Sequence, residues 1–230
     1  MPGATSDLHL DMYYTQERTT NIYGSQWGDP EDFASSPGLA MVKNHFILPY
    51  VREDVTVAEI GPGGGRWTQY FRPAKHVYII DPFEQMLNET KIVFGQNNIT
   101  AIQNSGTDFP GIPEGSINYL FTFDVFVHLD LEVIEQYLIN AKKILHDHGT
   151  MFIHYGDKTK YEGAQNIGYA WNSPVEMNKL LKKLGLAVIA ENTTCFNNSA
   201  FVLVKKGAGE LYCPSGTLPL LPKEEYEILK

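Results

Sequence analysis

Thiol chemistry is nearly absent from this chain: of its 230 residues only Cys195 and Cys213 are cysteines. Two thiols are too few for a disulfide scaffold or a thiolate metal site. Basic residues are also scarce, 18 Lys and Arg against 27 Asp and Glu, for a formal net charge of −9. A broadly acidic surface repels phosphate backbones and anionic lipid, so neither nucleic acid nor a membrane is an expected partner. No apolar run reaches membrane-spanning length, and Met1 to Asp11 lacks the basic and apolar blocks of a signal peptide. A cytoplasmic location is therefore the expectation. Internal repeats and low-complexity blocks are missing too. What remains, 43% hydrophobic and 20% charged residues, is the composition of a globular protein with one good core.

Glycine is concentrated where it matters. The segment Val57-Ala-Glu-Ile-Gly-Pro-Gly-Gly-Gly-Arg-Trp67 starts as an apolar run and breaks into glycines. This reads as a strand, a tight turn and the start of a helix-like stretch. Without Cβ atoms in the turn, a ligand can approach the backbone closely. A second apolar run, Val77-Tyr-Ile-Ile80, ends in Asp81, 20 residues after Gly61 (81 − 61 = 20). An acidic residue at that distance sits beside the glycine turn and can accept from ribose hydroxyls.

Strand-like runs cover Val55–Ile60, His76–Ile80, Ile99–Gln103, Ile117–Phe123, Thr150–Tyr155, Ala187–Ala190 and Ala200–Val204. Helical patterns fall at Leu39–Tyr50, Arg66–Phe71, Pro82–Phe94, Leu131–Leu145 and Pro174–Leu184. Leu131, Ile134, Leu138, Ala141 and Leu145 share one helical face. Alternating β and α elements predict a mostly parallel sheet covered on both faces. The last two strands have no helix between them and are expected to pair as an antiparallel edge hairpin. The fold expected is therefore α/β, a Rossmann-like, doubly wound, seven-stranded sheet. Residues 1–50 read as an N-terminal arm with helices, a lid or a substrate-facing segment, 51–206 as the cofactor-binding domain, and 207–230 as a tail with a short charged helix candidate at Lys223–Leu229.

The glycine spacing separates two cofactor classes. A dinucleotide fingerprint, Gly-x-Gly-x-x-Gly, needs glycine at position 66, where this chain has Arg66. This disfavours a nicotinamide oxidoreductase. Glu59-x-Gly61-x-Gly63-x-Gly65, followed by the strand-end Asp81, instead resembles the first motif of the class I S-adenosylmethionine (SAM)-dependent methyltransferases. The resemblance spans roughly Val55 to Val204. It implies the seven-stranded sheet, SAM as cofactor, and Glu59 near the methionine amino group. It also implies cofactor contacts from the three glycines, from Asp81 and, by stacking on adenine, from Phe83. Where the family often has an acidic residue after the third strand, this chain has Ser105, so either Ser105 or Asp108 serves there. His146-Asp-His148 replaces a common Pro-Gly-Gly turn and is expected to be a surface turn.

In open parallel sheets ligands bind beyond the carboxyl ends of the strands. Asp124 and His128, after the fourth strand, and His154, after the fifth, are thus the catalytic candidates, with Asp124 also counted toward the cofactor. Histidine suits general-base work near neutral pH. A structural hydrogen-bonding role for His128, a helix cap for Asp81 and a plain loop role for Asp108 are the competing readings. Tyr14, Trp27, Tyr155 and Trp171 are the substrate-facing candidates. Ser173, Pro174 and Glu176 form a capping box. No close-spaced metal-ligand cluster is visible, and no metal is assigned.

The reading is SAM-dependent methyl transfer to a small organic acceptor such as a sugar or natural product, a hydroxyl being favoured over an amine. A homodimer is the assembly to test. Another SAM-type transfer such as aminopropylation, and a non-catalytic binding module, stay open.

Overall fold

The computed structural model describes residues 24–94 and 98–207. The described strands are β1 (Thr56–Ile60), β2 (His76–Asp81), β3 (Ile99–Gln103), β4 (Ile117–Phe126), β5 (Leu145–Gly156), β6 (Leu186–Asn192) and β7 (Ser199–Lys206). They form one seven-stranded sheet in the order β3-β2-β1-β4-β5-β7-β6. β1 to β5 pair in parallel, and β7 runs antiparallel to both β5 and β6. The strand order reverses direction between β1 and β4, which opens a crevice at their carboxyl ends.

Helices α1 (Pro37–Val42), α2 (Glu84–Phe94), α3 (Leu131–Ile144), α4 (Tyr161–Gln165) and α5 (Pro174–Lys183) accompany the sheet. The predicted helix over 39–50 is broken: α1 passes into a π-helical turn, Lys43–Ile47, and a 3-10 turn, Leu48–Tyr50, around Pro49. The predicted helix at 66–71 is only a 3-10 turn, Thr68–Phe71, because the glycines before it hold positive φ angles. Ser173 caps α5 as expected: its Oγ donates to Glu176 Oε2 at 2.7 Å and accepts from the Glu176 N–H at 3.3 Å.

Strand alternation sorts side chains to two cores. Ala58, Ile60, Leu120, Ile153, Tyr155 and Val202 pack under α3 and α5. Val57, Val77, Phe121, Phe152 and Phe201 pack on the other face, together with Leu39, Val42, Phe46 and Ile47. The stretch from α1 through the π turn is thus continuous with the core of the sheet. β5 starts five residues earlier than predicted, at Leu145. His146, Asp147 and His148 are exposed as expected, but they lie in this strand and not in a turn.

Candidate active site

The turn after β1 begins with a backbone bond, Gly61 N–H to Ile80 O at 2.8 Å, which ties it to the neighbouring strand. Gly61, Gly63 and Gly65 all have positive φ (69°, 55° and 87°). A Cβ at Gly61 would stand 2.2 Å from Val125 Cγ2, so glycine is required there for space as well as conformation. Thr90 on α2 donates to Gly63 O at 2.8 Å and anchors the turn from beneath.

Two carboxyls are buried beside this turn. Glu59 is 1% exposed and accepts from Thr68 Oγ at 2.6 Å. Burial pushes its carboxyl up to about 8, against smaller lowering effects of Thr68 and Arg66. Asp81 is 7% exposed and accepts from the Phe83 N–H at 2.8 Å. Burial raises it to about 7, against that one bond. The helix-side reading of Asp81 is thus satisfied through Oδ1. Phe83 itself is half-buried at the head of α2. After β3, Ser105 donates through both N–H and Oγ to Asp108 Oδ1, at 2.6 and 2.7 Å. The two residues left as alternatives are therefore bonded to each other. Burial works to raise Asp108, but the Ser105 bonds outweigh it and hold the carboxyl low.

β4 slips register between Thr122 and Phe126, and there Asp124 takes a left-handed φ of 58°. A non-glycine residue in this region is strained and needs support from its surroundings. Arg66 Nη2 lies 2.6 Å from Asp124 Oδ2, and Arg66 Nη1 donates to Gly24 O at 3.1 Å. His154 Nδ1 accepts from the Asp124 N–H at 3.1 Å and lies 3.3 Å from Oδ1. Burial opposes ionisation of Asp124, but His154 and Arg66 outweigh it and bring the carboxyl to about 2.

His154 differs from its expected role. Its ring is 2% exposed, stacked on Phe123 with centroids 4.1 Å apart, and its Nε2 is 2.7 Å from Ser199 Oγ. Both nitrogens are engaged inside the protein, so it is not placed to take a proton from a substrate. Tyr155 is also corrected: alternation turns it to the opposite face, fully buried in the α3–α5 core, with no surface for a substrate. His128 stands in a turn, half-buried, with Nδ1 2.6 Å from Gly168 O. A carbonyl only accepts, so Nδ1 carries the proton and the basic lone pair of the neutral ring is on Nε2. The His128 ring meets Tyr169 edge-on at 5.5 Å. Bonds from Ala170 N to Val127 O and from Asn172 Nδ2 to Leu129 O bind the loop after α4 to this turn.

Trp27, 40% exposed, follows Gly24, whose carbonyl is held by Arg66. Trp171 is 76% exposed, with Lys158 Nζ 5.4 Å from its ring. Tyr14 and the 207–230 tail, apart from Gly207, lie outside the described residues. Sequence reasoning missed the clamp made by Arg66, although a cation directly after a glycine turn was visible. It also missed Ser199, which carries no local signal: 45 residues separate it from His154. Among the described residues, no group of three or more His, Cys, Asp and Glu side chains could hold a metal ion, and no helix is long and apolar enough to cross a membrane.

Residues 57–149 match the profile of a methyltransferase domain. No curated protein sequence matches the chain. Among solved structures, a SAM-dependent methyltransferase from Aquifex aeolicus is similar, with TM-score 0.58 and 18% identity over 78% of this chain and 95% of that one. Geranyl diphosphate C-methyltransferase from Streptomyces coelicolor A3(2), solved with Mg2+, geranyl diphosphate and S-adenosyl-L-homocysteine, aligns with TM-score 0.65 and 11% identity, over 90% of this chain and 99% of that one. The methyltransferase-domain match lies over β1 to the first residues of β5, and the seven-stranded sheet is the fold of these SAM-dependent methyltransferases.

Proposed function

We propose that this protein transfers the SAM methyl group to a hydroxyl of a small organic acceptor, with His128 as general base. The observation that carries the reading is the 2.6 Å bond from His128 Nδ1 to Gly168 O, which commits Nε2 to the basic role. Burial lowers the His128 pKa and outweighs the opposing effects of Gly168 and Asp124, which favours the neutral ring near pH 7. An amine acceptor would need only to be bound unprotonated. A hydroxyl gains from a base, which favours O-transfer.

The cofactor supplies an electrophilic methyl on a sulfonium centre. The residues present fit it. Asp81 and Glu59 are buried carboxyls that each receive one hydrogen bond among the described residues. Ribose hydroxyls at Asp81 and an amino group at Glu59 would supply the donors that such groups need in the ionised state. The glycine turn, Gly61 to Gly65, leaves the backbone open to close approach, and Phe83 and the Ser105–Asp108 loop form the adenine end. Asp124 is a fixed anion and orients, since a carboxyl held near 2 is a poor base.

Trp27 and Trp171 offer apolar surface at the rim, which supports a small organic acceptor. The geranyl diphosphate complex of a protein with the same fold is in line with a small-molecule acceptor. A test begins with calorimetric titration of S-adenosyl-L-homocysteine, with NADH as control. A screen of hydroxyl and amine acceptors, read by release of S-adenosyl-L-homocysteine, then follows with the native protein and His128→Asn. Turnover of amines only, unaffected by that substitution, would overturn the base assignment.

A further inference from the structure

We propose that Ser199 and His154 are positioning residues for the cofactor turn, acting through Asp124. The proposal rests on the reading that Gly61 to Arg66 holds the cofactor. Hydrogen-bond directions on this side of the site form a single consistent chain. The Asp124 N–H donates to His154 Nδ1 at 3.1 Å, so in the neutral ring the proton is on Nε2. That Nε2–H faces Ser199 Oγ at 2.7 Å, and Ser199 Oγ in turn donates to Asn198 Oδ1 at 3.0 Å. In the neutral ring every donor in this chain has an acceptor; a protonated ring would instead turn an Nδ1–H toward Asp124 Oδ1, 3.3 Å away. His154 and Ser199 are 2% and 1% exposed, so water does not compete for these bonds.

What the chain holds is the strained residue. Asp124 sits at φ 58°, a conformation that is strained in a non-glycine residue and persists only when its surroundings impose it. The bond from its own N–H to His154 is one such constraint, and the Arg66 ion pair on its carboxylate is the other. Held in this way, the Asp124–Val125 step touches the cofactor turn at both ends. Val125 Cγ2 fills the space where a Cβ on Gly61 would be, and Asp124 Oδ2 clamps Arg66. Position is thus transmitted from the start of β7, through β5, to the turn after β1. Neither Ser199 nor His154 contacts the turn itself. The β5–β7 pairing brings Ser199 opposite Gly156, and this return of the chain is what places its hydroxyl beside His154.

The test uses the full chain and S-adenosyl-L-homocysteine as probe. His154→Asn keeps an acceptor for the Asp124 N–H. His154→Leu has similar bulk and no acceptor, and Ser199→Ala removes only the outer partner. Calorimetry should find His154→Leu weakened about tenfold, Ser199→Ala about threefold, and His154→Asn within about twofold of the parent. Cooperative melting identifies the variants that fold, and Ser199→Ala, the mildest change, carries the test if His154→Leu does not fold. Equal weakening by Asn and Leu, or parental affinity in both Leu and Ala variants, would overturn the proposal. The ring tautomer is an independent readout: the nitrogen shifts of His154 should report a proton on Nε2 in the parent. A proton on Nδ1 alone would overturn the relay whether or not the probe binds. Absence of probe binding by a parent protein with the Nε2–H tautomer would instead overturn the cofactor assignment of the turn and, with it, the purpose of the relay.

Discussion

Arg66 and Asp124, 58 residues apart, meet at 2.6 Å, and their ion pair closes the gap between the turn after β1 and the end of β4. The Arg66 side chain is 9% exposed and that of Asp124 29%, so the pair is shielded from water on one side only. It also reaches outward, because the same guanidinium holds Gly24 O. One side chain thereby links the glycine turn after β1, the end of β4 and the segment that carries Trp27.

Breaking this pair should be costly. Asp124→Asn leaves Arg66 largely buried without its counter-ion, and removing one partner of a buried pair costs about 3–5 kcal/mol, less here because Asp124 is part-exposed. A loss of about 2 kcal/mol in urea unfolding is expected. The acid limb follows from the lowered pKa of Asp124. The folded state binds fewer protons than the unfolded state around and below the ordinary carboxyl range. The stabilisation is therefore full above about pH 4 and lost as pH falls toward about 2. Asp124→Asn should flatten this part of the stability–pH curve.

Gly61→Ala should cripple cofactor binding. The φ of 69° and the 2.2 Å approach to Val125 Cγ2 act independently. A destabilisation of about 2–3 kcal/mol is expected from strain and overpacking together. Adding Val125→Ala removes the clash and leaves the φ penalty, so the double variant should recover part of the loss and not all of it. Full recovery in thermal unfolding would count against the conformational argument.

Cofactor binding should release protons near neutral pH. Burial raises Asp81 to about 7 and Glu59 to about 8, so both are largely protonated at pH 6 in the free protein. Donors from the ligand favour the ionised forms and pull these values down. Affinity for S-adenosyl-L-homocysteine should then rise with pH through this range. The same raised values mean that the free protein loses stability as pH climbs from about 4 toward 7, since the unfolded chain gives up these protons first. Titrations in buffers of different ionisation enthalpy measure the proton count, and Asp81→Asn should reduce it.

His128→Asn should lower transfer to a hydroxyl acceptor about 100-fold or more, while S-adenosyl-L-homocysteine affinity stays at the parental level. In the parent, the rate should rise with pH as the ring deprotonates and level off earlier than an ordinary histidine would allow, because burial lowers the His128 pKa. The expected split is a fall in kcat with unchanged cofactor binding, measured by initial rates at saturating cofactor.

Much of the half proposed for the cofactor was legible because it is local. Strand, glycine turn and strand-end acid follow one another within Val57 to Asp81, and backbone sterics make glycine readable at each positive φ. The capping box at Ser173 was legible for the same reason. The acceptor half was harder. His154 and Tyr155 are the last two residues of the strand predicted over Thr150–Tyr155, and both are expected at the cleft. Adjacent strand residues point to opposite faces, so the two could not share one site. Likewise the Ser105 and Asp108 alternatives turned out to be one hydrogen-bonded unit, closed within four residues.

The amino-acid order alone determined the α/β class, the strands, most of the helices and the pairing of a glycine turn with a strand-end acid, since each depends on periodicity or on neighbours a few residues apart. Only the tertiary structure decided which titratable groups are engaged. The pairing of β5 with β7 buries His154 against Ser199, the register slip in β4 turns Asp124 toward Arg66, and the loop after α4 sets the tautomer of His128. These are contacts across tens of residues. They are fixed by sheet register and burial, which no local pattern in the chain encodes.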